Sequence, residues 1–382
     1  MKNDRREPEP DRPTPVRVLM AAGGTGGHIF PALAVAAELQ SRWRAREAAE
    51  CTAVPGRIEF VGTGREIERR VIPAAGFPLR VVAAAGLKGI GGWRKARNLL
   101  VLPRSFWETG RLLRRFSPHV VVGMGGYVAG PVMLEAALWG TPSLLIETNA
   151  APGFTNRTLS RFIRVAALGF QEAAPIYGEK ARVTGNPVRA EFSRVAPKPH
   201  AAPYTLLVLG GSQGSTAINR AVIGALPLYA APADRFRIVH QTGERDAASV
   251  LADYRASGFK ADVCAFINDM PAAFEGADLV ICRAGASTVA ELAAAGKASL
   301  LVPFPDAADN HQLANARVLE RTGGARVLEQ RDLTPRRLFD EAALLCNPAT
   351  LSAMDQAARM LAQPDATARI ADLIEGLAAG DL

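Results

Sequence analysis

The chain has 382 residues, of which 48% are hydrophobic, and it carries a formal net charge of +8. This length predicts two domains with separate cores. The four cysteines are scattered without a C-x-x-C pair, which argues against a zinc site or a disulfide framework and favours reduced thiols. No apolar run approaches the ~18 residues of a membrane span, and the positive charge leaves nucleic acid, lipid headgroups and phosphorylated substrates open as partners.

Residues 1–15, "MKNDRREPEPDRPTP", are charged and rich in proline. They lack the apolar segment of a secretory signal peptide. We therefore expect a disordered tail that is neither a signal nor a membrane anchor.

The first structural motif joins "VRVLM" (16–20) to "AAGGTGGHIFPALAVAAEL" (21–39). The pattern predicts a strand, a glycine loop and a helix with Pro31 near its first turn. The glycines leave backbone N–H groups uncovered for a polar ligand. A dinucleotide fingerprint begun at Gly24 would need a third glycine where Ile29 stands. A glycine-rich turn with an incidental His28 remains the alternative at this point.

The chain then alternates strand-like runs with helical stretches, as parallel α/β sheets do. The runs are "RIEFVG" (57–62), "HVVVGM" (119–124), "SLLIET" (143–148), "RIVHQTG" (237–243), "DLVICRAG" (278–285) and "ASLLVPFP" (298–305). A second strand, glycine loop and helix occur in "YTLLVLGGSQGSTAINRAVIGAL" (204–226). Residues 185–203 are rich in proline and basic residues and predict an interdomain linker. The expected fold is two Rossmann-like halves with a site in the cleft between them.

Within the first half of the chain, "AAGFPLRVVAAAGLKGIGGWRKARNLLVLPRSFWETGRLLRRF" (74–116) mixes large apolar with basic residues. The glycine-flanked Leu87, Ile90 and Trp93, beside Lys88 and Arg94, predict an exposed loop tip that enters a lipid headgroup region. For residues 96–116 the favoured alternative is an amphipathic helix with an apolar core face and a solvated basic face.

The stretch "AGASTVAELAAAGKASLLVPFP" (284–305) begins a helix with small residues. Free N–H groups at Gly285, Ala286, Ser287 and Thr288 suit a diphosphate, and Glu291 suits ribose hydroxyls. The alternative is a capped helix with a solvated Glu291.

The next stretch, "DAADNHQLANARVLE" (306–320), places His311 and Gln312 at the start of a further helix. Both side chains can hydrogen-bond sugar hydroxyls, although a lone His-Gln pair is weak evidence.

Taken together, these motifs resemble the MurG glycosyltransferases. The resemblance rests on "GGTGGHIFPALAVA", "GMGGYVAGP", "TNAAPGFTNR", "GNPVR", "GGSQGS", "QTGE", "FINDMPAAF", "CRAGASTVAEL" and "NHQLANA", in that order. It implies the GT-B fold, an α/β fold of two Rossmann-like domains facing across a cleft. It also implies inverting transfer of GlcNAc from UDP-GlcNAc to the C4 hydroxyl of undecaprenyl-diphospho-MurNAc-pentapeptide (lipid I), which gives lipid II in peptidoglycan synthesis.

The resemblance also implies a division of labour. Residues 16–188 would form the acceptor- and membrane-binding domain, and residues 189–363 the UDP-GlcNAc domain. The last helix, about 364–382, would pack back on the first domain.

Residue by residue, the resemblance assigns His28, Glu147 and Asn149 to catalysis, with His28 as the leading general base, and Gly26 and Tyr127 to the acceptor. The residues it assigns to UDP-GlcNAc are Thr25, Gly26, Gly27, His28, Asn149, Arg189, Ser212, Ile267 at the uracil, Arg283, Gly285, Ala286, Ser287, Thr288, Glu291, His311 and Gln312.

One segment departs from the family. Where the family pattern reads His-Glu-Gln-Asn, this chain reads Ile146-Glu147-Thr148-Asn149. Isoleucine neither transfers protons nor donates to a phosphate, so any role of that histidine is lost or supplied elsewhere.

The resemblance implies no tightly bound cofactor and no structural metal, and the sequence has no Asp-x-Asp metal motif. The expected partners are UDP-GlcNAc, undecaprenyl-linked lipid I, the anionic inner-membrane surface and other cell-wall synthesis proteins, with no nucleic acid. The expected location is peripheral, on the cytoplasmic face of the bacterial inner membrane. Two alternatives remain, namely another GT-B nucleotide-sugar transferase, or a noncatalytic protein that binds nucleotide sugars or lipid diphosphates.

Overall fold

The computed structural model describes residues 15–24, 26–49, 56–83, 102–211, 213–230 and 235–381. Several predictions fall outside these ranges. They are the tail over residues 1–14, the substrate contacts of Thr25 and Ser212, and the membrane loop with Leu87, Lys88, Ile90, Trp93 and Arg94.

The thirteen strands of the described residues are short and mostly buried. They are β1 Arg17–Ala21, β2 Arg57–Gly62, β3 Leu79–Val81, β4 Val120–Gly123, β5 Ser143–Glu147, β6 Val165–Leu168, β7 Ala181–Val183, β8 Tyr204–Leu209, β9 Phe236–Gln241, β10 Ala261–Cys264, β11 Leu279–Cys282, β12 Ser299–Leu301 and β13 Ala325–Val327.

Helices connect the strands. Those described are α1 Gly26–Ala49, α2 Glu66–Ala74, α3 Leu102–Phe116, α4 Gly126–Leu138, α5 Phe154–Leu159, α6 Ala174–Tyr177, α7 Ala190–Ser193, α8 Thr216–Ala230, α9 Ala247–Ser257, α10 Met270–Gly276, α11 Ala286–Ala295, α12 His311–Arg321, α13 Pro335–Leu345, α14 Pro348–Met360 and α15 Ala366–Ala379.

The strands form two parallel sheets. The first has the order β3-β2-β1-β4-β5-β6-β7, and the second has the order β10-β9-β8-β11-β12-β13. In each sheet the order reverses beside the first strand, β1 or β8, and in open α/β sheets such a switch point is where ligands bind. The glycine loops after β1 and β8 therefore lie at the two expected positions.

Helix α1 begins earlier than the sequence pattern predicts. Pro31 is the sixth residue of the helix and not part of its first turn. Because Gly26 and Gly27 adopt helical backbone, the helix takes in the end of the glycine loop. His28 is consequently the third residue of α1 and is held by a helix instead of a loop.

The last helix, α15, packs against the first domain. Ile370 and Ile374 join the core beneath β1, β4 and β5. Arg42 of α1 donates to Asp372 at 2.5 Å, and the indole N–H of Trp43 donates to Glu375 at 2.9 Å. The chain thus leaves the second domain and closes on the first.

The basic segment that includes α3 is amphipathic, as its alternative interpretation predicts. Leu113 and Phe116 lie in the core, whereas Trp107 is 65% exposed. None of the described helices is both long enough and apolar enough to cross a membrane.

Candidate active site

A cleft of about 2440 Å³ lies between the two domains. It opens at the carboxyl ends of the strands, where α1, α4, α8, α11 and α12 begin. Every predicted catalytic, donor or acceptor residue that the structure describes lines this one cleft. The fold therefore brings together residues that are nearly 300 positions apart in the sequence.

His28 has a defined hydrogen-bonding state. Its Nδ1 lies 3.2 Å from the carbonyl oxygen of Gly23, and since a carbonyl only accepts, Nδ1 carries the hydrogen. Burial lowers the pKa of His28, with a smaller contribution in the same direction from His311, against an opposing effect of the Gly23 carbonyl. The ring is thus neutral near pH 7, and the lone pair on Nε2 remains available to accept a proton.

The glycine loop before α4 supports this ring from the other side. Gly126 has a φ of +74°, and a Cβ there would lie 3.5 Å from Nδ1 of His28 and 3.2 Å from the carbonyl oxygen of Gly23. A side chain at this position would be strained and would crowd the imidazole. The two glycine loops of the first domain therefore fix His28 jointly.

Glu68 organises the first glycine loop, and the sequence analysis missed it. This fully buried carboxylate accepts from the backbone N–H of Gly24 at 2.7 Å and of Gly64 at 2.6 Å. It also accepts from the hydroxyl of Thr63 at 3.0 Å. The available signal was a glutamate three residues after the helix start at Arg65, which is the spacing of a capping box.

Glu147 lies beneath the cleft with its oxygens occupied. It accepts from the backbone and side-chain amides of Asn149 at 2.9 and 3.2 Å and from Asn156 at 2.8 Å. Burial raises the pKa of Glu147, and these hydrogen bonds oppose the rise. In this geometry the carboxyl positions Asn149 and Asn156 along the cleft wall.

Asn149 connects the two domains through Asn315 of α12, a second residue that sequence reasoning missed. The Nδ2 group of Asn315 donates to Oδ1 of Asn149 at 3.1 Å. The Oδ1 atom of Asn315 accepts from the backbone N–H of Ala150 at 2.8 Å. The signal was its place in "NHQLANA", one turn after Gln312 on the same helix.

Ile146 does not line the cleft. Its side chain is buried in the core, in one cluster with Ile370 and Ile374 of α15. Because alternate residues of a strand face opposite sides of the sheet, position 146 faces this core. The isoleucine that replaces the family's histidine therefore contributes to the core and not to the described lining of the cleft.

The N-terminus of α11 is open, as expected for a diphosphate site. Gly285 precedes the helix without any side-chain cap, and the buried hydroxyl of Ser287 has no hydrogen-bond partner among the described residues. The capped-helix alternative is therefore wrong. Unpaired N–H groups at the positive end of the helix face the cleft and suit an anion.

Glu291 follows on the same helix and is mostly buried, not solvated. Burial raises its pKa to about 7, and Arg189, whose guanidinium is 3.6 Å from the carboxylate, opposes this rise. Arg189 also stacks on Phe192, 4.9 Å from the ring centroid. The Glu291 carboxyl, which is partly ionised near pH 7, thus pairs with the Arg189 guanidinium on the second-domain side of the cleft, which we call the donor wall.

Arg283 is a partly buried cation, and its hydrogen bonds to the described residues involve carbonyl and amide oxygens and no carboxylate. It donates to the carbonyls of Val302 and Pro303 at 3.1 and 3.2 Å and to Gln330 at 2.7 Å. Burial lowers its pKa to about 10, so it stays protonated at neutral pH. Its uncompensated charge is available to an anionic ligand in the cleft.

Gln312 has a fixed amide orientation. Its Oε1 accepts from the backbone N–H of Ala284 at 3.3 Å and of Phe304 at 3.0 Å. The flipped amide is excluded, because it would place the Nε2 donor against these two N–H donors. Nε2 is therefore the atom presented to a ligand. His311 donates from Nδ1 to the carbonyl oxygen of Ala308 at 2.6 Å, so Nε2 is the ring nitrogen left for a ligand.

Two further predicted residues lie at the edges of the cleft. Tyr127, on the first turn of α4, is 46% exposed. Ile267 is partly buried against the core of the second domain. Each presents apolar surface to the cleft, one from each domain.

Comparison with known proteins places both domains in one family. Residues 18–168 match the glycosyltransferase family 28 N-terminal domain, and residues 205–375 match the glycosyltransferase family 28 C-terminal domain.

Among the similar relatives are two proteins named UDP-N-acetylglucosamine–N-acetylmuramyl-(pentapeptide) pyrophosphoryl-undecaprenol N-acetylglucosamine transferase. The one from Anaeromyxobacter sp. (strain Fw109-5) is 46% identical, over 94% of this chain and 92% of that protein. The one from Syntrophus aciditrophicus is 44% identical, over 94% and 97%.

The solved structure of Acinetobacter baumannii MurG is 34% identical to this chain, with a TM-score of 0.76, over 94% of this chain and 99% of that one. A UDP-GlcNAc 2-epimerase from Neisseria meningitidis, at 12% identity and a TM-score of 0.65, shares the fold alone. The two domains, their joint cleft and the near full-length similarity establish that this chain belongs to the MurG family of glycosyltransferases.

Proposed function

We propose that this chain transfers N-acetylglucosamine from UDP-N-acetylglucosamine to undecaprenyl-pyrophosphoryl-N-acetylmuramyl-pentapeptide. The observation that carries this proposal is the near full-length similarity to transferases of that name, together with one cleft that holds all the described candidate residues. A noncatalytic binding protein would need neither the proton acceptor of His28 nor an open face opposite the donor wall.

The second domain would hold the donor. The uracil would lie near Ile267, the diphosphate at the N-terminus of α11 beside Arg283, and the ribose hydroxyls at Glu291. The donating Nε2 of Gln312, with His311 beside it, would orient the sugar. Helix amides and Arg283 would then stabilise the diphosphate as it leaves, an electrostatic task suited to preorganised donors. A reaction without a bound metal or other cofactor is part of this proposal.

The first domain would supply the acceptor and the base. The C4 hydroxyl oxygen attacks the anomeric carbon, the bond from that carbon to the diphosphate breaks, and UDP departs with the electron pair. The hydroxyl proton passes to Nε2 of His28, the neutral nitrogen that faces the cleft. A single displacement inverts the anomeric centre, so the α-linked donor yields a β1→4 product. Glu147 would act by positioning Asn149, with Gly26 and Tyr127 on the acceptor side.

The acceptor's polyprenyl chain requires access to a bilayer, and we propose peripheral binding to an anionic membrane through the first domain. Two exposed tryptophans of this domain carry arginine guanidinium groups over their rings. Arg111 is 5.8 Å from the ring centroid of Trp107, and Arg114 is 5.3 Å from that of Trp139. Aromatic rings beside cationic groups suit the headgroup region.

Purified protein incubated with UDP-GlcNAc and the diphospho-MurNAc-pentapeptide acceptor tests the proposal. We expect stoichiometric UDP release and a lipid-linked disaccharide with a β1→4 linkage. UDP release without the disaccharide, or binding of both substrates without either product, would contradict it.

A further inference from the structure

One arm of the cleft extends over the first domain, away from the donor site. It runs between α3, α4 and the segment of α5 with the turn that follows. Its lining includes Phe106 of α3, Gly130 and Leu134 of α4, and Phe154, Leu159 and Phe162 of the α5 segment. None of the described residues that line this arm between Ser105 and Leu134, or between Phe154 and Phe162, is charged. Its polar members are Ser105, Thr155, Asn156 and Thr158, and its large side chains are apolar or aromatic. We call this arm the α3–α4–α5 groove.

The groove follows one face of α4. Tyr127, Gly130, Leu134 and Leu138 recur at intervals of three or four residues, which places them along one side of the helix. Eleven residues of helix span about 16 Å. The groove therefore leads from the catalytic loops along α4 as far as Leu134, and Leu138 continues the same face of the helix beyond it.

The two ends of this side of α4 differ in chemistry. At the inner end, Gly126 lies against the ring of His28. At the outer end, Leu138 is 74% exposed, and the next residue, Trp139, carries the guanidinium of Arg114. The apolar face thus connects the proposed proton acceptor to a basic, aromatic surface.

We propose that the α3–α4–α5 groove binds the part of the acceptor's polyprenyl chain that adjoins its diphosphate, an inference that rests on the proposed function. An open apolar surface of this kind usually marks a binding site, and hydrocarbon is the ligand class that an uncharged lining favours. The acceptor head is anchored at the inner end, so its chain has to leave along the wall of the first domain. The basic outer end then meets the bilayer from which the chain comes.

Gly130 allows a test in which a side chain is added to the groove and no packed side chain is removed from the protein. A Cβ at this position has the methyl group of Thr155 as its nearest neighbour, at 3.9 Å, so a side chain fits and extends into the groove. Leucine is also a better helix former than glycine, and we expect Gly130→Leu to fold. Gly130→Ala is the matched control, because it adds only the Cβ. Leu134→Asn is a second variant that keeps the number and branching of the side-chain heavy atoms and removes apolar surface.

The assay compares two acceptors with the same diphospho-MurNAc-pentapeptide head, one carrying undecaprenyl and one carrying a single isoprene unit. For Gly130→Leu and Leu134→Asn we expect kcat/KM to fall roughly tenfold or more with the undecaprenyl acceptor. The short acceptor, the KM for UDP-GlcNAc and binding to phosphatidylglycerol vesicles should stay near the parent values. Gly130→Ala should resemble the parent with both acceptors.

An equal fall with both acceptors would overturn the groove proposal, because the variants would then act on the head. Unchanged kcat/KM with the undecaprenyl acceptor would overturn it as well. A loss of vesicle binding without discrimination between chain lengths would assign the groove to bilayer lipid instead. A parent protein that transfers GlcNAc to neither acceptor would contradict the proposed function itself, a result distinct from these.

Discussion

The two walls of the cleft differ in how they are built. The wall of the second domain presents charged and polar groups whose geometry is fixed by backbone hydrogen bonds, as in Arg283 and Gln312. The wall of the first domain presents glycine loops, one neutral imidazole and an apolar groove. A polar nucleotide sugar can be bound by preorganised charges, whereas a lipid acceptor requires close backbone approach and hydrocarbon contact. The comparison predicts that substitutions on the first wall change turnover or the use of the acceptor, and that substitutions on the second wall change the affinity for UDP-GlcNAc.

The largest effect is expected at the imidazole of the first wall. His28→Ala should lower turnover by roughly 10²–10⁴-fold, because it removes the proposed proton acceptor. Steady-state kinetics with both substrates measure this. His311→Ala is the control, since it has the same hydrogen-bonding state on the opposite wall, and its effect should fall on UDP-GlcNAc. A rise in acceptor KM with turnover kept would make His28 a diphosphate-binding residue.

The predicted membrane loop, which lies outside the described residues, should respond separately. Leu87→Ser with Ile90→Ser and Trp93→Ser should weaken binding to anionic vesicles by roughly tenfold or more, with UDP-GlcNAc affinity intact. Co-sedimentation at low salt measures this. Leu344→Ser with Met360→Ser changes exposed apolar residues of the second domain and should leave vesicle binding at the parent level. Equal co-sedimentation of the triple variant and the parent would refute the assignment.

On the donor wall, the affinity for UDP-GlcNAc should depend on pH. The pKa of Glu291 is raised to about 7 by burial, and only its ionised form accepts from two ribose hydroxyls. UDP-GlcNAc affinity should therefore fall roughly tenfold from about pH 8 to about pH 6, as the carboxylate takes up a proton. Glu291→Gln should bind more weakly at pH 8 and show little change over this range. A parent profile that is flat, or one retained in Glu291→Gln, would remove Glu291 from the ribose site.

The smallest effect is expected at the sugar contact. Gln312→Ala removes a neutral hydrogen bond and should weaken UDP-GlcNAc binding roughly 3–10-fold, while UDP alone binds as to the parent. Competition between the two ligands measures the difference directly. A parallel loss of UDP affinity would indicate that the substitution disturbs the backbone at Ala284 and Phe304 instead.

Much of the fold was predictable because hydrophobic runs and glycine loops are local signals. The run "RIEFVG" coincides with β2, and "DLVICR" contains β11. The strands β3, β6, β7, β10 and β13 were missed, and each has only three or four residues. A strand of that length was found only where, as for β12 in "ASLLVPFP", it lies within a longer apolar run. Pro31 was misplaced because proline is most often found in the first helical turn, whereas here the preceding glycines extend α1.

The site was predictable only in part, for a similar reason. The residues in glycine loops and at helix starts are recognisable from neighbouring sequence. Glu68 and Asn315 act on partners 44 and 165 positions away, so the local spacing could suggest a capping residue and a helix face but not these partners. The core position of Ile146 likewise depends on α15, which arrives from the other end of the chain.

Calorimetric titration of UDP-GlcNAc into His28→Ala and Glu291→Ala, side by side with the parent, tests the separation of the two walls most directly. We expect His28→Ala to bind the donor as the parent does. Glu291→Ala should lose roughly 1–3 kcal/mol of binding free energy, as for a hydrogen bond to a charged group. Unchanged affinity in Glu291→Ala, or an equal loss in both variants, would contradict the assignment of donor binding to the second domain.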